Sequence, residues 1–360
     1  MSKILVLSYL SIYPANDGGR ARIHEFAKNI SKKHDVIVVC PPLSERPPKP
    51  LPYRLSEIGS VGPRRQLFDP SFLIRLIRLV NEEKPDVLLL EYVWQGFHAA
   101  VVQALTGVPV VVDAFDVVTV RFRRTRHPLW PIVSLLERCV LRAADHVFAV
   151  SEQDRKQLVR LGASEQTTSV VPNGVDTSQF RPDPNARRRV RRRLGLRRGE
   201  RLLFFFGQLD YPPNAEAVRV LAQEIMPRLD ERYRLVIAGR GPVAQLRKTY
   251  GGGRTEFLGP VEGLPDYINA ADAVVAPIMQ GSGTRLKLVE SVACGAPTVT
   301  TSIGAEGLDL AACAPSLTIA NDWDSFADQV RRAARAKHVP PSPAFLESYD
   351  WRAIVGRIRL

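Results

Sequence analysis

No stretch of this 360-residue chain approaches the ~18 consecutive apolar residues a membrane-spanning helix needs. Cysteine is scarce. Cys40, Cys139, Cys294 and Cys313 stand far apart without CxxC or CxH spacing, which argues against a disulfide framework and a zinc site and suits a reducing cytosol. Met1-Ser2-Lys3 followed by Ile4 to Leu10 begins like a signal peptide. Its apolar run is short and no small-residue cleavage site follows, so it reads as a buried first strand. The chain also lacks a GxGxxG fingerprint and a Walker loop, which weakens dinucleotide binding and phosphate-loop hydrolysis. Zinc-finger spacing, an aromatic ribonucleoprotein motif and a basic heptad zipper are absent too, and no nucleic-acid partner is expected.

Acid is the minority charge. Thirty-seven acidic residues face fifty basic ones, for a net +13, and nine arginines fall between Arg187 and Arg201 with Glu200 as the only acid. The excess is therefore one local run rather than a basic coat. It reads either as a solvated helix face or as a contact for an anionic partner, lipid or polyanionic substrate.

A composition of 45% hydrophobic and 24% charged residues is that of a globular chain, and the length suits two domains. Apolar runs at Ile4–Leu10, Asp35–Val39, Val87–Leu90, Val108–Val112 and His146–Val150 predict one set of strands with helical segments between them. A second set follows at Leu202–Phe206, Tyr233–Ala238, Thr255–Leu258, Ala273–Ala276 and Thr298–Thr300. Two such series predict two doubly wound α/β domains. The expected divisions are 1–170, 171–345 and a closing segment 346–360 that returns to the first domain. The proline-rich stretch Pro41 to Pro63 reads as an irregular surface excursion.

In open parallel sheets ligands bind beyond the carboxyl ends of strands, where helix N-termini present unpaired N–H groups. Two loops fit. One carries Gly18 and Gly19 before a helix, where the backbone could approach a ligand or simply turn. The other runs from Ala276 through Gly281-Ser282-Gly283-Thr284-Arg285-Leu286-Lys287 to Glu290, Gly295 and Pro297. Thr284 is expected to open its helix, with Arg285 and Lys287 beside the positive end, suited to a diphosphate. Glu290 can accept two hydrogen bonds from a ribose diol. Together these indicate a nucleotide.

The segment Gly281 to Glu290, then Gly295-Ala-Pro, resembles the donor-binding motif of the retaining, nucleotide-sugar-dependent glycosyltransferases of family four. Ala144 to Ser151, Val171 to Asp176, Phe205 to Asp210, Val236 to Pro242 and Phe257 to Gly259 follow in the family's order. The resemblance implies a GT-B fold, two Rossmann-like domains facing across a cleft, with donor on the second and acceptor mainly on the first. It implies donor contacts at Gly207, Gln208, Gly239, Arg240, Leu258, Gly281, Gly283, Thr284, Lys287 and Glu290, with Gly18 and Gly19 opposite. Departures are specific. Ser282 stands where the family has its first acid, Gln208 and Pro213 where it has diphosphate-binding cations, and Phe115 where relatives carry a His. The diphosphate role then moves to Arg285, with Lys287 second; Ser282 and Asp116 complete the expected catalytic set, and His98 and His127 read as ordinary packing or surface residues.

Transfer of this kind needs no metal or other cofactor, the nucleotide sugar being a co-substrate. Asp322-Trp-Asp324 resembles a metal-binding DxD but reads as a helix cap. Expected partners are the donor and an acceptor glycan, glycolipid or small molecule; a catalytically silent nucleotide- or glycan-binding subunit is the alternative. Arg121, Arg123, Arg124 and Arg126 precede Pro128 to Val133, and Phe72 to Leu79 interleaves arginine with apolar residues. These suit a peripheral contact with an anionic membrane, or two amphipathic helices packed on the sheet. The expected location is cytoplasmic, at the inner face of the membrane if that contact forms.

Overall fold

The computed structural model describes residues 1–358 apart from 16, 48, 59–68 and 282. It forms two compact units, one of Met1–Asn173 with Trp351–Leu360, the other of Gly174–Asp350.

The first unit carries a seven-stranded sheet of β1 (Lys3–Ser8), β2 (Asp35–Cys40), β3 (Arg54–Glu57), β4 (Val87–Glu91), β5 (Val110–Ala114), β6 (His146–Ala149) and β7 (Thr168–Val170). Their order is β3-β2-β1-β4-β5-β6-β7 and every pairing is parallel. Alternation decides which face each residue serves. Ile4 and Val6 point to one side with Phe26 of the helix Gly18–Ile30 and Trp351 of the helix Trp351–Arg357, whose rings lie 6.0 Å apart. Leu5 and Leu7 join Phe72 and Leu76 on the other. With both faces covered, the central strands must be apolar through their middles, and Ile4–Leu7 and Val87–Leu90 are.

The second unit repeats the plan with β8 (Arg201–Phe206), β9 (Tyr233–Ala238), β10 (Thr255–Gly259), β11 (Ala273–Ala276), β12 (Thr298–Thr300) and β13 (Leu317–Ile319), ordered β10-β9-β8-β11-β12-β13 and again parallel. Leu203 and Phe205 face Phe326, while Phe204 and Phe206 face Val190 and Ile268. In each sheet the winding reverses between the first and fourth strands of the unit, β1 and β4 here, β8 and β11 there. Those are the switch points at which doubly wound sheets open a crevice.

Three strands were not expected from the apolar pattern: β3, β7 and β13. Each is short, mostly half-exposed and at or next to an edge, so it needs no continuous apolar run. The stretch Pro41 to Pro63 is accordingly not wholly irregular, since it contains β3.

Candidate functional site

At the carboxyl end of the second sheet the backbone is drawn in tightly. Gly207 N–H donates to the Ala238 carbonyl at 3.1 Å, Gly239 N–H to Gly259 at 2.8 Å and Leu209 N–H to Arg240 at 2.6 Å. Gly239 has φ +154, and a Cβ there would stand 1.7 Å from the Gly207 carbonyl oxygen; only glycine fits. Gly207, at φ +148, clears the space above it. A Cβ there would lie 2.9 Å from the Asn214 amide nitrogen and 3.0 Å from the Lys287 ammonium.

Lys287 comes from the helix Leu286–Ala293 that follows β11, on the far side of the switch point. Its Nζ donates to Asn214 Oδ1 at 2.7 Å and lies 4.1 Å from the centre of the Phe205 ring. Asn214 is held in turn by donating to the Gln208 carbonyl at 2.8 Å. Burial first, then the Arg285 charge, lower the Lys287 pKa to about 7 against the opposing pull of Glu290. One turn on, burial raises the Glu290 pKa to about 7 against the pull of Lys287. An ammonium has three protons to donate and a carboxylate accepts several bonds. Among the described residues Lys287 makes one hydrogen bond and the Glu290 side chain none. Two partly desolvated charges with spare hydrogen-bonding capacity thus stand one turn apart on the helix beside the switch point.

The helix begins later than expected. Thr284 is buried in the preceding loop and Arg285 is the capping position, with Leu286 first in the helix. The tight backbone of the glycine turn delays it: Gly281 has φ +114 and Gly283 φ +74. Arg285 folds back over that turn, donating to the Gly283 carbonyl and, at 3.4 Å, to Gln280. A Cβ on Gly281 would come within 2.9 Å of an Arg285 guanidinium nitrogen and 3.5 Å of Pro213. Gly207, Gly281, Gly283, Arg285 and Lys287 thus gather with Pro213 and Asn214. Gln208 and Arg240 are exposed at the rim, Leu258 packs on the core, and Ser282 lies outside the described residues.

Gly18, Gly19 and Asp116 belong to the first unit. Gly18 and Gly19 open a helix capped by Asp17, and a Cβ on Gly19 would make only ordinary 3.5 Å contacts. Asp116 accepts from the Tyr92 hydroxyl at 2.9 Å and pairs with Arg121 at 2.8 Å. Phe115 stacks on Tyr92, their centroids 4.8 Å apart. His98 is buried and His127 exposed.

Asn214, Tyr9 and Tyr92 escaped the sequence reading. For Asn214 the available signal was a polar residue directly after Tyr211-Pro-Pro, at the start of a helix. Three members of the arginine run turn to one buried carboxylate: Arg187, Arg191 and Arg201 lie 2.6, 2.8 and 3.6 Å from Asp272, while Arg188, Arg189, Arg192, Arg193, Arg197 and Arg198 are exposed. Burial alone would raise the Asp272 pKa; the Leu202 amide, Arg191 and Arg187 hold it below the usual value. Asp322 accepts from Ser325 N–H at 2.8 Å as a helix cap, and Asp324 pairs with Arg228. Among the described residues no group of three or more His, Cys, Asp or Glu is placed to hold a metal ion.

Two switch-point sheets with these edges define the GT-B class of glycosyltransferase folds, and solved structures agree. Sucrose-phosphate synthase from Thermosynechococcus elongatus matches over 99% of this chain and 97% of its own, with TM-score 0.80 and 18% identity. The Anabaena protein HepE, solved in complex with UDP-glucose, matches over 99% and 98%, with TM-score 0.75 and 17% identity. The family model for Glycosyltransferase Family 4 matches residues 16–179, and that for Glycosyl transferases group 1 matches residues 200–335. A D-inositol 3-phosphate glycosyltransferase of Thermobispora bispora is 31% identical over 257 residues, spanning 65% of this chain and 59% of that relative, less than two thirds of its length. The chain belongs to glycosyltransferase family 4.

Proposed function

We propose that the protein transfers a sugar from a nucleotide-sugar donor to a hydroxyl acceptor with retention of configuration. The observation carrying this is Lys287, a half-buried cation with unused donors at the β8/β11 switch point, with Glu290 one turn away. Lys287 and Arg285 take the diphosphate, where negative charge grows as the glycosidic bond breaks, and Glu290 takes the ribose diol. The glycines at 207, 239, 281 and 283 admit the donor close to the backbone. Ser282 is assigned to the donor sugar and Asp116 to the acceptor side. The UDP-glucose complex of HepE supports a nucleotide-sugar co-substrate; no metal is required where cations and N–H groups carry the charge.

The test is a thermal-shift screen of the purified protein with UDP-, GDP- and dTDP-sugars, since a ligand of the folded state raises apparent stability. Stabilisation by at least one class is expected, followed by transfer with the donor's anomeric configuration kept, read by NMR. Binding without turnover would instead make the chain a silent partner subunit, and an inverted product would remove the retaining assignment.

A peripheral membrane contact has its own observation. In the helix Trp130–Ala143, Val133 and Val140 pack inward, while Trp130, Ile132 and Leu135 remain exposed, as does Leu129 before it. Arg123 covers the Trp130 ring at 5.0 Å, and Arg124, Arg126 and Arg138 are exposed nearby in sequence. Exposed aromatic and aliphatic groups among cations suit an anionic lipid surface, and through it a lipid-linked or cell-envelope acceptor at the cytoplasmic leaflet. By contrast, Phe72 and Leu76 of the other candidate helix are buried. Liposome co-sedimentation is expected with anionic vesicles at low salt and lost in ~0.5 M salt; no binding at low salt points to a soluble acceptor.

A further inference from the structure

Three adjacent strands of the first sheet each hand over to an aromatic residue: β1 to Tyr9, β4 to Tyr92, and β5 to Phe115. Tyr92 is stacked between the other two, its centroid 5.5 Å from Tyr9 and 4.8 Å from Phe115, with planes about 20° apart. The outer rings keep partial exposure while Tyr92 is buried. Tyr92 also has φ +74, a left-handed conformation that bulky side chains rarely adopt. Its N–H donates to the Asp113 carbonyl at 3.1 Å; its hydroxyl donates to Asp116 at 2.9 Å and accepts from Arg121 at 2.8 Å. Backbone strain held by that many contacts, over a switch point, marks a ring whose orientation matters.

The charges about this aromatic row come in matched pairs. Asp17 meets Arg20 at 2.6 Å, and Asp116 meets Arg121 at 2.8 Å. The Tyr9 phenol, whose pKa is raised chiefly by burial, feels all four of these groups. A sugar or cyclitol ring offers an apolar C–H face and a rim of hydroxyls. An aromatic wall covers the face, and an Arg–Asp pair donates to and accepts from the rim with no net charge. A phosphate on the same ring would compete with each aspartate for its arginine and face the aspartate's charge at short range.

We infer that this edge selects an acceptor presenting an uncharged ring, a sugar or cyclitol face laid against Tyr9 and Phe115, and discriminates against a ring bearing phosphate. The inference rests on the reading of the protein as a glycosyltransferase, and it departs from what the name of the inositol-phosphate relative suggests.

Saturation-transfer NMR on the full chain tests it without donor, using methyl α-glucoside, methyl α-mannoside and myo-inositol against glucose 6-phosphate and myo-inositol phosphate. A neutral ring is expected to bind at least about fivefold more tightly than its phosphorylated partner. Tyr9→Leu should weaken ring binding roughly tenfold while leaving UDP affinity within about twofold. Should Tyr9→Leu fail to fold, Asp17→Asn keeps the helix cap, unpairs Arg20 and should shift preference at least about threefold toward the phosphorylated ring. Tighter binding of the phosphorylated rings, or ring binding indifferent to Tyr9→Leu and Asp17→Asn, overturns the inference. Ring binding that persists where no nucleotide sugar binds would keep this selectivity and sink the glycosyltransferase reading.

Discussion

Past the first strand of one sheet stands Tyr9; past the first strand of the other stands Gly207. The two sheets share a parallel winding and a switch point, yet their carboxyl edges are built of opposite materials. The first edge is walled with stacked rings, and its buried Arg22 and Asp113 are closed on each other. Arg22, almost wholly buried, binds both oxygens of Asp113 at 2.7 and 2.6 Å and also Val171, Pro172 and Asn173. Burial and then the neighbouring Asp113 carboxylate push the pKa of Glu91, paired in register with Asp113, well above the usual carboxylate value. The second edge is cleared by glycine and leaves Lys287 and Glu290 short of partners. The buried ion pair of the first edge is closed on itself, whereas Lys287 and Glu290 of the second keep hydrogen-bonding capacity that a ligand can use.

The comparison breaks most sharply at Arg22. Arg22→Met strands Asp113 beside Glu91 in a dry site, and removing one member of a buried pair typically costs about 3–5 kcal/mol. Denaturant unfolding should show that loss, and Arg22→Met with Asp113→Leu together should recover part of it. A loss below about 1 kcal/mol would mean the charges were never dry. Lys287→Met is the opposite experiment. Replacing a half-buried, under-bonded amine with an apolar chain of similar shape should leave the melting temperature unchanged or raised. Donor affinity should nevertheless fall roughly 10–150-fold, the worth of ~1.5–3 kcal/mol for a charged hydrogen bond. Loss of stability without loss of donor binding would make Lys287 structural and erase the contrast.

How much of this the sequence discloses follows from the same physics. The inner strands, such as Leu202–Phe206 and Val87–Leu90, are buried on both faces and must be apolar runs, so they are legible. The strands β3, β7 and β13 owe their existence to a neighbour's unpaired backbone groups, which no local pattern records. The glycine turn, Lys287 and Glu290 are legible because they lie on one loop and one helix. Asn214 is seventy-three residues from the lysine it holds, and the Tyr9–Tyr92–Phe115 row is assembled from three strand ends. Sequence spacing reports what one element carries, while these groups meet only through sheet order.

Asn214 offers a smaller test of the open edge. Asn214→Ala removes the acceptor that aims the Lys287 ammonium but leaves the charge, so donor affinity should drop about fivefold, near 1 kcal/mol. Isothermal calorimetry with the nucleoside diphosphate reads it. A loss as large as that of Lys287→Met would mean that Asn214 itself contacts the ligand.

The finest effect is in protons. Lys287 falls from an ordinary value of 10.5 to about 7, so between those values the unfolded chain binds the proton and the folded one does not. Its contribution to stability is present above 10.5 and lost as pH falls through 7. Glu290 rises from 4.5 to about 7, so its contribution is present below 4.5 and lost as pH climbs through 7. The two windows meet at neutrality, where the ligand-free second unit is expected to gain least from both groups. A nucleoside diphosphate wants the ammonium charged and the ribose wants the carboxylate ionised. Binding at pH 8 must then draw in a fraction of a proton, and binding at pH 6 must release one. Calorimetry in two buffers of different ionisation enthalpy measures that fraction, with affinity changing by no more than about tenfold per pH unit on either side. Lys287→Met should abolish the uptake and Glu290→Gln the release, each leaving the other limb intact. Proton exchange of one sign at both pH values would show that a single group, rather than the pair, faces the ligand, and the open edge would then be half as open as its geometry argues.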